Sequence, residues 1–579
     1  MFKGHPKGLF ALALANTGER FGYYTMLAVF ALFLRENFGL APGAAGAIYS
    51  TFLGLVYFMP FIGGILADKF GFGKMVTIGI SVMFLGYLLL SVPLGGDTVA
   101  MVAMIAALLF ISLGTGLFKG NLQVMVGNLY DDPKYADRRD SAFSLFYMAI
   151  NVGSLFAPTA ALSIKAWAEN SLGFSGNDAY HFSFAVACVS LIISIAIYYA
   201  FRYTFRHVEG GERKKTDAQV EDNLTPAETK SRITALVLVF AVVIFFWMAF
   251  HQNGLTLTYF ADEFTVTKAF GATTMLFNVW NLALIIVAVY ATFSIFQSEK
   301  ASGKLTSGAI ATVILGYLVY RATGSADASC AVNAPIFQQF NPFYVVALTP
   351  VSMAIFGALA KKGKEPSAPR KIAYGMLVAA IGFAIMAVGS RDLNSPKEQS
   401  AAIAINKGET IAAEYIAVQN DTLMTAEDKA AALAKVAKSK SDFESKVTAD
   451  SKTLFTEAYD LTVAGNVEEL AAIKSEHKPE TRTSSYWLIF TYLILTFAEL
   501  LLSPMGISFV SKVAPPKYKG MMMGGWFVAT AIGNLLVSVG GFLWGGLPLW
   551  SVWTVFIALC LLSALFMFVM MKKLESATK

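Results

Sequence analysis

Uninterrupted apolar stretches of about twenty residues, the length a helix needs to cross a bilayer, recur along the whole chain. They predict fourteen spans, at residues 8–35, 45–66, 75–93, 98–121, 141–163, 181–202, 233–259, 273–297, 305–322, 336–360, 371–390, 486–511, 521–543 and 550–571. One long polar tract, residues 391–484, interrupts the pattern. The start mimics a signal peptide, with Lys3 and Lys7 ahead of an apolar run, but the run continues through Glu19 and Arg20 and reads as an uncleaved first helix. The pattern therefore predicts an all-α polytopic membrane protein.

Basic residues give this pattern a direction. Lys69 and Lys74; Lys134, Arg138 and Arg139; Arg202 to Lys215; Lys300 and Lys304; Lys361 to Lys371; Lys512 to Lys519; and Lys572 with Lys573 fall in every second connection. The positive-inside rule makes those connections, and both termini, cytoplasmic. The even span count and the alternation support each other independently. Residues 391–484 then lie on the opposite side. They are rich in Ala, Lys, Glu, Ser and Thr, with Thr425-x-x-Asp428 ahead of AALAKVAK, and read as a water-soluble helical insertion. Such an insertion is either a solvated spacer or a module for a protein partner. Residues 203–231 read as a cytoplasmic linker, with Thr225-Pro226 starting the seventh span.

Composition agrees with the pattern, since the chain is 56% hydrophobic and 15% charged, which excludes a cytosolic globular protein. The net charge is +6, but residues 391–484 hold 12 Lys/Arg against 16 Asp/Glu, leaving 33 against 23 in the remainder. The basic excess thus belongs to short membrane-flanking loops and serves orientation, not nucleic-acid binding. Cys188, Cys330 and Cys560 are too few and too scattered for a disulfide framework.

A charged side chain near the bilayer centre costs about 2.5–3.5 kcal/mol on insertion scales, so each one must have partners or a wet surrounding. Glu19, Arg20, Lys119 and Glu499 are such groups, with the ionisable His251 beside them. Two acids and two bases sum to zero. This suggests pairs in a polar cavity shared by the first, fourth, seventh and twelfth spans, and hence a transport pathway; the plainer reading is that the charges lock helices together. Asn16, Arg20, Tyr23 and Leu27 share one helical face. Enzyme chemistry and a metal site are not expected. HExxH, paired CxxC and Walker sequences are missing from the chain, GTGLFKGN has no GK[ST] ending, and His5, His181, His207 and His477 lie at span ends or in loops.

Several motifs resemble the proton-dependent oligopeptide transporter family of the major facilitator superfamily. ERFGYY (Glu19 to Tyr24) resembles the end of its ExxERFxYY signature, and GGILADKFGFGK (Gly63 to Lys74) is similar to the superfamily's cytoplasmic loop motif. GTGLFKGN with Lys119, RDSAFSLFYMAINVGSLFAP (Arg139 to Pro158), FWMAFHQNG (Phe246 to Gly254), FQQFNP (Phe337 to Pro342), AELLLSPMGISFVSKVAP (Ala498 to Pro515) and MGGWF (Met523 to Phe527) resemble further core helices. The resemblance implies twelve core helices in two six-helix halves, residues 1–202 and 232–579, with an inserted hairpin at 273–322 and 391–484 in the periplasm of a bacterium. It also implies import of di- and tripeptides across the inner membrane by alternating access, with protons as coupling ion and no other cofactor.

Carried over residue by residue, Arg20 and Lys119 would meet the peptide carboxylate and Glu499 the amino group, Lys119 and Glu499 pairing when the site is empty. Tyr23, Tyr24, Tyr57, Asn151 and Asn341 would bond the peptide backbone, Ser503 would join the binding set, and Trp247 and Trp526 would shape side-chain pockets. Asp68 and Lys74 would brace the cytoplasmic gate. The chain departs from the family at Asn16, Leu27 and His251, where the family carries an acid, an arginine and an acid. Asn16 and Leu27 read as a paired loss that keeps the face neutral. Coupling would then move to Glu19, Glu499 or His251, with Lys119 in the same network; the alternative for His251 is a neutral ring hydrogen-bonded to neighbours of Arg20. Other readings are a facilitator for a peptide conjugate or nitrate, and a receptor or assembly subunit that binds a partner through 391–484.

Overall fold

The computed structural model describes residues 4–135, 138–210, 224–515 and 518–577. Lys3, residues 211–223 of the expected linker, with Lys214 and Lys215, and Lys517 lie outside the described residues. In hydrocarbon each backbone N–H and C=O must be paired within its own segment, so the apolar runs fold as helices. Six come first: α1 (Lys7–Phe38), α2 (Pro42–Phe70), α3 (Phe72–Leu90), α4 (Thr98–Asn128), α5 (Arg139–Ser171) and α6 (Ala179–Ala200). α1 packs on α5 and α6, and α4 on α2 and α3.

After the linker, α7 (Pro226–Phe250) starts at a capping box between Thr225 and Glu228. It ends at a 3-10 turn, His251–Gly254, before α8 (Thr256–Phe264) completes the same crossing. α9 (Val279–Gln297) and α10 (Ala301–Thr323) form the inserted hairpin. Its base is tied by two short antiparallel strands that the apolar pattern does not predict, β1 (Lys268–Phe270) and β2 (Ser329–Ala331), with Ala269 opposite Cys330. α11 (Phe340–Lys361), α12 (Ala368–Gly389), α17 (Tyr486–Val513), α18 (Lys519–Leu535), α19 (Ser538–Leu543) and α20 (Leu549–Ser576) complete the membrane part, with α12 between α17 and α20. α2 lies against α18 and α19, and α5 against α11. The protein is thus a multi-pass membrane protein.

Among the described residues, 13 helical segments are long and apolar enough to cross a membrane. The other expected span, α1, is 32 residues long but falls outside that set, because Glu19 and Arg20 sit at its middle and Arg35 and Glu36 near its end. Tertiary burial holds it in place instead: 22 of its residues are buried. Small residues set the helix spacing. A Cβ on Gly63 of α2 would lie 2.1 Å from the carbonyl oxygen of Gly116 on α4, and a Cβ on Gly116 would lie 2.5 Å from the Cβ of Met59. Only glycine allows this approach.

Between α12 and α17 lie α13 (Pro396–Asn420), α14 (Ala426–Lys446), α15 (Ala449–Ala464) and α16 (Val467–Glu476), with a small apolar core of Ala404, Ile411, Val436 and Phe455. Thr425 caps α14 by accepting the Asp428 N–H at 3.1 Å, at the position its sequence predicts. The insertion is tied to the membrane part at two places. The Gln399 amide donates to the Glu263 carbonyl at 2.8 Å and Arg482 donates to the Thr265 carbonyl at 2.7 Å, while the Lys438 ammonium bonds the carbonyls of Gly173 and Phe174 at 2.7 and 2.9 Å.

Gly116→Val is expected to destabilise the protein by about 1–3 kcal/mol through overpacking, seen as a lowered denaturation midpoint of the purified protein; an unchanged midpoint would mean that α2 and α4 are further apart than described. Glu398, bonded by Lys478 and by the Ser395 backbone and hydroxyl, is held well below the usual carboxylate range, at about 2. A depressed acid stabilises the fold above its unfolded value and loses that contribution as the pH falls toward its folded value. Amide protection at the start of α13, measured relative to the intrinsic exchange rate at each pH, should therefore fall as pH drops from about 4.5 to about 2, and in Glu398→Gln it should show no such step.

Candidate functional site

Glu19 and Arg20 of α1 are almost fully enclosed, at 1% and 2% exposure, and form an ion pair through two guanidinium N–H groups and both carboxylate oxygens. Sequence neighbours on a helix point apart, so this pair exists because the two side chains bend toward each other. The Arg20 guanidinium also lies 4.8 Å from the centre of the Tyr23 ring. One turn earlier Asn16 is buried, and its amide nitrogen has no partner among the described residues. Leu27 joins the apolar core.

Lys119 of α4 places its ammonium 4.3 Å over the Tyr57 ring, and none of the ion pairs among the described residues includes it. Glu499 of α17 accepts from the Asn341 amide at 2.9 Å and from the Tyr147 hydroxyl at 3.3 Å, while Asn341 donates to Thr496 at 3.1 Å. The expected Lys119–Glu499 pair is therefore not formed. Each charge is held by neutral groups, an aromatic face for the cation and two donors for the anion.

His251 stands where α7 breaks into the 3-10 turn. It stacks on Trp247 with ring centres 5.0 Å apart and shares a 2.6 Å hydrogen bond between Nδ1 and Asn534 Oδ1, so its neutral partner lies on α18 and not beside Arg20. Its ring is 6.0 Å from that of Tyr57. The edge of the Trp526 indole reaches α17 because residue 506 is glycine; a Cβ there would come within 1.8 Å of it. Ser503 is half-buried one turn beyond Glu499, just before Pro504, which interrupts the hydrogen bonding of α17. Asn151 donates to the Tyr147 carbonyl at 3.0 Å within its own helix.

Aromatic rings connect several of these groups: Tyr57 lies 4.3 Å from the Lys119 ammonium and 6.0 Å from the His251 ring, and the Tyr23 ring beside Arg20 is 5.1 Å from that of Tyr24. Asp68 and Lys74 are elsewhere: both are exposed across the Gly71 turn (φ +93°), eleven residues, or about 16 Å of helix, beyond Tyr57. Among the described residues no group of three or more His, Cys, Asp or Glu could hold a metal.

The apolar pattern passes over three features. Tyr147 is one turn before Asn151 in the quoted Arg139–Pro158 motif, and that spacing was the available signal. Asn534 is a lone polar residue in an apolar run. Arg35 and Glu263 form an ion pair at 2.5 Å, with the Trp544 indole donating to Glu263 at 3.1 Å and Arg35 lying 4.6 Å over the Tyr259 ring. Charges at span ends are inexpensive, so the hydropathy pattern gives no reason to pair them.

The sequence matches the POT family over residues 73–225, 319–472 and 459–540. It is 26% identical to the uncharacterized transporter YclF of Bacillus subtilis, over 92% of this chain and 86% of that protein. It is also 26% identical to the peptide transporter YePEPT of Yersinia enterocolitica, over 93% and 88%. A crystal structure of a mutant of peptide transporter POT in complex with alafosfalin superposes with a TM-score of 0.65 at 21% identity, covering 100% of this chain and 97% of that one. A POT family transporter in complex with 5-aminolevulinic acid gives 0.64 at 18% identity, covering 99% and 98%.

Glu19→Gln leaves the buried Arg20 charge uncompensated and should cost about 3–5 kcal/mol of stability, whereas the double variant Glu19→Gln/Arg20→Met should cost clearly less. Chemical denaturation of the two purified variants checks this; a double variant as damaged as the single one would contradict the pairing.

Proposed function

This chain belongs to the POT family, and we propose that it is a secondary transporter that imports di- and tripeptides across a bacterial inner membrane, its halves, residues 1–202 and 232–579, rocking about the central chamber. The observation that supports this reading is that Lys119 and Glu499 are not paired with each other, each resting on neutral groups. A zwitterion brings the missing counter-charge to both: its carboxylate to Lys119 and its amino group to Glu499. Tyr23, Tyr24, Tyr57, Asn151 and Asn341 offer hydrogen bonds to the peptide backbone, Ser503 adds a hydroxyl near Glu499, and Trp247 and Trp526 line the side-chain pockets. Recognition through termini and amides accepts many side chains.

Protons enter through Glu19. While ionised it neutralises Arg20; once protonated it releases the guanidinium to join Lys119 on the peptide carboxylate. Glu499 and His251 are the other proton-carrying groups in the chamber. One proton crossing about 100 mV supplies roughly 2.3 kcal/mol, and one pH unit adds about 1.4, enough for several-hundredfold accumulation. The basic connections put both termini in the cytoplasm, with Asp68 and Lys74 bracing the inner gate and residues 391–484 in the periplasm. On that side Arg35–Glu263 joins α1 to α8 and holds the outer gate shut.

Proteoliposomes holding the purified protein should take up dialanine faster when an inward proton gradient is imposed, and uptake indifferent to the gradient removes the coupling. Glu499→Gln should reduce uptake of peptides with a free amino terminus at least tenfold more than uptake of amino-blocked ones. Equal losses on both would contradict the role given to Glu499.

A further inference from the structure

Beside the pair of binding charges, the wall made by α7 and α18 holds more hydrogen-bond donors than acceptors. Trp247 and Asn534 are 7% and 0% exposed, yet the indole Nε1–H and the Asn534 Nδ2 amide meet no acceptor among the described residues. Such orphans are rare in protein interiors and call for an explanation. Both flank one imidazole, since His251 stacks on Trp247 and bonds Asn534 Oδ1 through Nδ1. With that oxygen accepting, the ring carries its hydrogen on Nδ1 and the Asn534 amide N–H groups are left over. Gly533 allows the wall to form: a Cβ there would stand 2.5 Å from the Ile244 carbonyl oxygen and 2.9 Å from Trp247 Cβ.

In front of this floor stand the half-buried Tyr57, Lys119 and His251, the rim that a ligand reaches first. The acids of the chamber do not serve these donors, because Glu19 is bound to Arg20 and Glu499 to Asn341 and Tyr147. Tyr57 lies against both groups, 4.3 Å from the Lys119 ammonium and 6.0 Å from the His251 ring, so a peptide carboxylate on Lys119 would set the C-terminal side chain beside His251.

We propose that Trp247, His251 and Asn534 form a side-chain subsite selecting peptides whose C-terminal residue carries a carboxylate, aspartate or glutamate, over apolar or cationic residues of similar size. This rests on the peptide-transport reading above. The carboxylate oxygens take the two orphan N–H donors, and its charge sits beside Lys119 and the imidazole. A Trp–His–Asn cluster that only packs helices together would show no dependence on the peptide's side chain.

The test is competition against labelled dialanine uptake in proteoliposomes with Ala-Glu, Glu-Ala, Ala-Gln, Ala-Met and Ala-Lys. Ala-Glu should inhibit on the order of tenfold more tightly than the similarly sized Ala-Met and more tightly than Glu-Ala, with Ala-Gln between and Ala-Lys weakest. In Asn534→Leu and His251→Leu the ratio of the Ala-Met to the Ala-Glu inhibition constant, measured on the same variant, should fall toward one. If either variant does not fold, the wild-type ranking decides. Dialanine uptake with Ala-Met competing as well as Ala-Glu overturns the subsite alone; no uptake or binding of any of these peptides overturns the transport reading beneath it.

Discussion

Removing an ion from water into a lipid-bounded interior is so unfavourable that its position dictates what surrounds it. In this chain the constraint is met in two ways. Glu19 and Arg20 cancel each other inside α1, a self-contained pair that needs nothing from another helix. Lys119 and Glu499 are held instead by polarisable or hydrogen-bonding neutral groups drawn from several helices: Tyr57 on α2, Tyr147 on α5 and Asn341 on α11. The first arrangement is closed. The second leaves neither charge in an ion pair among the described residues.

The rest of the fold serves this arrangement. Gly63 and Gly116 let α2 and α4 meet closely enough to bring Tyr57 under Lys119. Gly506 gives Trp526 room against α17 one helical stretch past Glu499. The helix breaks fall near the same groups, at the His251–Gly254 turn of α7 and at Pro504 in α17. Breaks of this kind let a helix end bend without disturbing its packed remainder. The tyrosine hydroxyl that reaches Glu499 comes from α5, while the residues around it on α11 and α17 belong to the later group of helices, so the site depends on both groups being in register.

Much of this was legible in the sequence because lipid punishes departures from the apolar pattern. Glu19, Arg20, Lys119, Glu499 and His251 stood out as expensive residues in long apolar runs, and the structure brings them around shared tyrosines. The polar helices between α12 and α17, their Thr425 cap and the Thr225 start of α7 were equally readable, since capping chemistry is local. What could not be read was partnership. Zero net charge suggested Lys119 with Glu499, but distance and direction between helices are set by packing, which gave Lys119 an aromatic face and Glu499 two donors. Arg35–Glu263, the β1–β2 clasp and the two ties of the insertion were hidden for the same reason: they join residues at span ends, where hydropathy carries no information. α1 shows the converse, because its polar middle weakens the apolar signal; the pattern still predicts it at 8–35, and tertiary burial holds it in the bundle.

The central claim is that two unpaired charges in one chamber grip a zwitterion by both ends. It is tested most directly by calorimetric titration of the wild-type protein with dialanine, with its acetylated form and with its carboxyl amide. If the chamber works as described, each blocked peptide binds at least tenfold more weakly than dialanine, because either block leaves one of the two charges unanswered. Binding of all three with the same affinity would contradict the account.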